Sequence, residues 1–252
     1  MSGGNKTIGR VVLALSLSVA MLSGLSIPSA ARAEAAPADP IDTAMRDCLA
    51  RADRSSPAGQ VQCMDAARGS WQAAIDAAFR SITANVPDKV QRGWQESQRR
   101  WLAWRDEETP LVRAVFATTH GSSYVITEAN VLLQPVRDRA LQLRRVAAQF
   151  QAQASASGAS APDPATPNRA PRVRPCTADA ACEHAQFDLN RYARKLRAKL
   201  PVPSRPLLAR AQRAWRGYLE VTAGLGSEAD RADLIGARVA TLKRLSETVG
   251  ND

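Results

Sequence analysis

Histidine is nearly absent from this chain of 252 residues: His120 and His184 are the only two. Neither has a partner at a spacing that marks a serine–histidine or cysteine–histidine nucleophile in sequence. No H-E-x-x-H run and no glycine-rich phosphate loop is present. No catalytic, cofactor-binding or metal-ligating residue is therefore assigned, and the chain reads as a non-enzyme. One carboxylate run exists, Asp106-Glu107-Glu108. Consecutive residues on a helix point in different directions and nothing marks a second carboxylate across a cleft, so a glycosidase pair is not supported. Strand-like alternation with turn punctuation is missing throughout, which argues against β-structure. Beyond residue 27 no apolar run is long enough to span a bilayer.

The first thirty-odd residues read as an export signal. Lys6 and Arg10 precede an apolar stretch from Val11 to Ile27, and Ala31-Arg32-Ala33 is an A-x-A cleavage site. Cleavage there places the mature protein in the periplasm or outside the cell. It also removes Lys6, Arg10 and Arg32 and no acid, so the formal charge of +10 becomes +7.

The four cysteines, Cys48, Cys63, Cys176 and Cys182, are an even set in an exported chain. Three pairings are possible. Closeness in sequence favours Cys48 with Cys63 and Cys176 with Cys182. No C-x-x-C and no second cysteine–histidine cluster is present, which disfavours redox and metal readings.

A phrase repeats. Gln98-Arg99-Arg100-Trp101-Leu102-Ala103-Trp104 returns as Gln212-Arg213-Ala214-Trp215-Arg216-Gly217-Tyr218, an offset of 114 residues. The same offset lays Ile75 on Leu189, Ile82 on Leu196 and Pro87 on Pro201 without a gap. Further on, Arg137-x-x-x-Leu141 lies on Arg238-x-x-x-Leu242 at an offset of 101, so the second unit is expected to have lost about 13 residues. The organisation predicted is all-α. Signal peptide 1–33 and leader 34–40 precede a first helical unit 41–150. A flexible Ala/Ser/Pro linker 151–175 and a shortened second unit 176–252 follow, giving two small antiparallel helical bundles.

Helix periodicity is clear in unit one. Trp71, Ile75, Phe79, Ile82 and Val86 step by four, four, three and four. Helices are expected over about 41–54, 61–85, 87–109, 111–118 and 122–150, with Pro135 kinking or splitting the last. In unit two they are expected over about 182–200, 205–223 and 227–249. Trp94, Trp101 and Trp104 share one helical face, which reads first as core and second as a ligand platform.

Cys48, Cys63, the phrase Gln98-x-x-Trp101-x-x-Trp104-Arg105-Asp106, Gly121-Ser122 and Arg137-x-x-x-Leu141 occur in an order that resembles the LprI-like family of lysozyme inhibitors. The resemblance covers about 41–145 and, more weakly, 182–245 through Gln212, Trp215, Tyr218 and Arg238. It implies an exported all-helical protein whose partner is a lysozyme or related peptidoglycan hydrolase. Two departures stand out. A second cysteine pair common in the family is replaced here, at Thr109 and about Ala129. Unit two has Leu219-Glu220 where unit one has Arg105-Asp106, so unit one is expected to carry the function. Its candidate partner contacts are Arg105, Asp106, Glu107, Glu108, His120 and Ser122.

Charge supplies an alternative. From Leu189 to Leu219 there are nine basic residues and no acid. Arg191, Arg194, Lys195, Arg210, Arg213 and Arg216 are candidate contacts to anionic lipid or glycan. No reading motif accompanies them, so nucleic acid is not the expected partner. A dedicated partner, such as a secreted toxin neutralised by this chain, is a third possibility. A protein at +7 gains no long-range steering towards a basic lysozyme, so inhibition of one would need a local acidic patch.

Overall fold

In the computed structural model, which describes residues 38–84, 86–159 and 175–251, every regular element is helical. The expected signal peptide and most of the leader lie outside the described residues. Residues 38–252 form a compact unit with a core of their own. Among the described residues it has seven α-helices: α1 (Pro40–Leu49), α2 (Pro57–Ala84), α3 (Asp88–Phe116), α4 (Ser122–Ala159), α5 (Ala180–Lys199), α6 (Arg205–Ala223) and α7 (Glu228–Thr248).

Local chemistry sets where these helices begin. Asp39 caps α1, its carboxylate accepting from the Ile41 amide at 2.9 Å, and Pro40 stands in the first turn, where no N–H is needed. Asp179 caps α5 by accepting from Ala181 and Cys182. A capping box of Ser227 and Asp230 starts α7. Gly121, at a φ of 105°, turns the chain between α3 and α4. The disulfides are Cys48–Cys63 and Cys176–Cys182, with Cα separations of 5.7 and 5.2 Å. The first ties α1 to α2. The second fastens the chain entering α5 to its first turn.

Packing follows the apolar stripes. α2 lies along α4, α5 lies along α7, and α3 lies along α6. On α2 the buried face mixes large with small: Trp71, Ile75 and Ile82 are fully buried, with Ala74 and Ala78 between them and Ala67 before them. The contact of α3 with α6 joins the two predicted helical units along one continuous core, which runs from Met64 to Val249.

Several helix boundaries differ from expectation. α1 stops at Leu49, short of residue 54, with a 3-10 turn at Ala52–Arg54, and α2 begins at Pro57 rather than near 61. α3 was expected to stop before Pro110, with a separate short helix over 111–118, but it runs unbroken to Phe116. Pro110 costs one backbone bond. Its face is exposed, and the Thr109 hydroxyl donates to the Arg105 carbonyl at 3.0 Å. Beyond the proline, Leu111, Val112, Val115 and Phe116 are all buried, and that apolar burial holds the extra turns in helix. Likewise Pro135 does not split α4, because Leu133 and Val136 on either side of it are buried. α4 also continues to Ala159, into the segment expected as linker; the rest of that segment, 160–174, lies outside the described residues.

Candidate functional site at the α3–α6 layer

The repeated phrase lies where α3 meets α6. Trp104 and Tyr218, 114 residues apart, stack on each other with centroids 5.6 Å apart and planes 6° off parallel. Around that pair the contacts run antiparallel. The Ser97 and Thr222 hydroxyls bond at 2.7 Å, Arg210 donates to Glu107 at 2.9 Å, and Gly93 lies against Leu225. A position that touches its own counterpart across an antiparallel contact is the signature of two-fold packing.

Two buried arginines complete the layer, each 2% exposed. Arg139 of α4 donates to Gln98 from Nε (3.1 Å) and Nη2 (3.0 Å), to Gln142 (2.8 Å), to Ser97 (3.1 Å) and to the Tyr218 hydroxyl (3.3 Å). Arg238 of α7 donates to Gln212 at 2.7 Å and to Glu108 at 2.6 Å. Gln98 and Gln212 are thus matching acceptors for matching arginines. Arg139 lies over the Trp94 and Tyr218 rings, and Arg238 over Trp104 and Trp215.

The electrostatics of the two differ. Arg238 has a carboxylate, Glu108, which also accepts from Trp104 Nε1 at 3.1 Å. Arg139 has only neutral acceptors, because Thr222 stands 114 residues after Glu108. Burial accordingly pushes the Arg139 guanidinium down from its usual range, and Tyr218 opposes that shift. Burial likewise raises the Tyr218 phenol above its ordinary range.

This geometry corrects the register of the repeat beyond the phrase. Arg238 was laid on Arg137, but its structural counterpart is Arg139. Aligned at 99 rather than 101, Ile235, Leu242 and Leu245 fall on Val136, Leu143 and Val146, all buried; at 101, Ile235 and Leu245 fall on Gln134 and Arg144. Arg137 does something else. It grips Asp42 of α1 through two nitrogens, at 2.9 and 2.6 Å, and with Arg144 covers the Trp71 ring. Asp42 is held below its ordinary carboxylate range by that hydrogen bonding, with the Arg137 charge adding to it.

The candidate contacts separate. Glu108 is buried and engaged by Arg238, which corrects its expectation as a partner contact. Arg105 donates to Gln72 at 2.7 Å and lies over Trp101. Glu107 is paired with Arg210. Asp106, His120 and Ser122 are exposed. Trp94, Trp101 and Trp215 are core, and Trp104 is only 8% exposed, so the tryptophan face is packed chiefly as core.

Beside the layer, a cleft of about 440 Å³ opens between α4 and α7. Trp104, Tyr218 and the two arginines form its floor. Asp138, Asp230 and Asp233 stand among its lining residues with Arg145, which approaches Asp230 and Asp233 at 3.9 and 4.0 Å. Sequence reading missed this cleft, because its acids come from two helices nearly a hundred residues apart. Among the described residues no group of histidine, cysteine or acid side chains is placed to hold a metal ion, and no helix is long and apolar enough to cross a membrane.

Fold and site together define an all-helical protein braced by two disulfides, with the aromatic residues of its motif buried as a scaffold. Residues 48–143 match the family model described as lysozyme inhibitor LprI, and that segment is of the LprI family. The match begins at Cys48, spans the α3 phrase and ends at Leu143, four residues beyond Arg139. Among curated proteins nothing matches. The chain is similar to an uncharacterised protein from Burkholderia thailandensis whose crystal structure is known. The two are 55% identical with a TM-score of 0.77, over 85% of this chain and 100% of that one.

Proposed function

We propose that this protein is an exported, non-enzymatic inhibitor of a lysozyme-type peptidoglycan hydrolase. The family match over residues 48–143 carries the reading. Two disulfides fit an oxidising location outside the cytoplasm, and the A-x-A site after the apolar N-terminal run fits export to it. We read the second half as a shortened second copy whose α6 closes the layer that α3 begins.

Inhibition requires an exposed surface. On α3 Asp106 is exposed, and beyond it His120 and Ser122 are exposed in the turn before α4 and at its start. Of the acids that a basic lysozyme could meet, Glu107 and Glu108 are already paired with arginines. The mouth of the α4–α7 cleft adds Asp138, Asp230 and Asp233 beside Arg145, a surface of mixed charge that a partner could also meet. The test is lysis of cell walls by lysozymes of several classes, with and without the 38–252 unit. Slowed lysis with at least one class is expected, relieved in D106R or in D138N/D233N. Unchanged lysis across all classes would refute the reading.

A further inference from the structure

The acid-free basic stretch takes a definite form in the structure. Arg191, Arg194, Lys195, Arg197 and Lys199 are all exposed on α5. None of the five forms an ion pair with a described residue. Other helices pair part of their cations. On α3, Arg99 and Arg100 share Glu96. On α4, Arg137 and Arg144 are taken by Asp42 and Asp39, and on α6 Arg210 is taken by Glu107. Five exposed cations within nine residues concentrate positive charge on the later part of α5, whose acids, Glu183 and Asp188, stand nearer its start.

That face also carries apolar surface. Phe187 is 60% exposed, and Val202, just past the end of α5, is 69% exposed; with Val125 they are the large hydrophobics that stand well out among the described residues. Successive helical residues turn by about 100°, so Phe187, Arg191, Arg194 and Ala198 fall in one strip, with Lys195 and Arg197 on its two flanks. The opposite side of α5, with Cys182, Leu189 and Leu196, is buried in the core. α5 is therefore amphipathic in an unusual sense: one stripe packs inward, and the outer stripe is cationic with an aromatic residue near its start.

We propose that the outer face of α5 docks the protein on an anionic phospholipid surface. Phe187 enters the headgroup boundary, and Arg191, Arg194, Lys195, Arg197 and Lys199 meet lipid phosphates. A phenyl ring standing out of a rigid, disulfide-fastened helix costs nothing further to order, and it gives a membrane more than a soluble polyanion could use. Cationic side chains without internal acids keep their full charge for the surface, and each adds roughly a fivefold gain in partition at low salt. This docking is independent of lysozyme inhibition, since it uses α5 and neither the α3 end nor the α4–α7 cleft.

The experiment is sedimentation of the 38–252 unit with vesicles of phosphatidylethanolamine and phosphatidylglycerol, beside vesicles of phosphatidylcholine alone. Binding to the anionic vesicles is expected, falling steeply with salt. R194E/K195E should lower it by more than about 25-fold, and F187S by several-fold with the salt dependence retained. R80E/R92E changes net charge equally at exposed positions on α2 and α3 and should lower it far less. Thermal unfolding of each variant checks that the fold is intact. The proposal is overturned by no binding to anionic vesicles at low salt, by equal losses in the two double variants, by an unchanged F187S, or by binding to DNA or an acidic polysaccharide without binding to vesicles. Lysis assays on the same variants should read as wild type, which separates failure of this proposal from failure of the inhibitor reading.

Discussion

Arg238 and Arg139 occupy matching places in the fold and should respond differently to removal. Replacing Arg238 with methionine leaves Glu108, 4% exposed, as a buried carboxylate without its cation. Breaking such a pair from one side costs about 3–5 kcal/mol, because the remaining charge is still desolvated. Arg139 faces only neutral acceptors. Its removal leaves Gln98, Gln142 and Ser97 short of donors but leaves no bare charge, while the guanidinium's own desolvation cost disappears. R238M is therefore expected to lower urea-unfolding stability by clearly more than R139M, and E108Q should recover part of the R238M loss. Equal effects of the two arginine variants would show that the ion pair with Glu108 adds nothing beyond what the neutral partners of Arg139 supply. Thr222 explains the difference at the level of a single residue: the hydroxyl bonds Ser97 and cannot neutralise Arg139.

At the scale of elements, α1 is held from two directions. Cys48 bonds it covalently to α2, and the Asp42–Arg137 and Asp39–Arg144 pairs hold it against α4 across the Trp71 ring. The covalent link closes a loop of 15 residues, for which chain entropy predicts about 3 kcal/mol. The ionic link depends on pH. The Asp42 carboxyl titrates below its ordinary value of 3.8 when folded, so its contribution is fully present above that value and is lost as pH falls through the lower, folded one. Both partners are partly exposed, which screens the pair and keeps the contribution modest. Stability measured against pH should fall on the acid side of 3.8 in wild type, with a shallower fall in D42N. An identical acid slope in D42N would mean that the pair contributes nothing to holding α1.

Helix content and core faces were legible in the sequence at the scale of the whole molecule, because periodicity is a local property. The steps of Trp71, Ile75 and Ile82, and the 114-residue return of the tryptophan phrase, needed no neighbours to be read. Two kinds of information were not local. Whether Pro110 ends a helix depended on what the residues beyond it could bury, and Leu111, Val115 and Phe116 found a core waiting. The register of Arg238 depended on a bond to Gln212, which a pattern of arginine and leucine alone could not distinguish from one two residues away. The α4–α7 cleft escaped for the same reason.

The join between α3 and α6 has a thermodynamic consequence. Arg139 of the first half bonds Tyr218 of the second, Glu108 of the first bonds Arg238 of the second, and Trp104 stacks on Tyr218. Neither half can open without exposing buried charge in the other. Unfolding in urea is therefore expected to be a single transition, with tryptophan fluorescence and far-UV circular dichroism superimposing. R238M should shift that one transition without dividing it. Four of the five tryptophans lie in the first half, at 71, 94, 101 and 104, with Trp215 alone in the second. If the halves were separately stable, fluorescence would follow mainly the first and circular dichroism both, and the two curves would part.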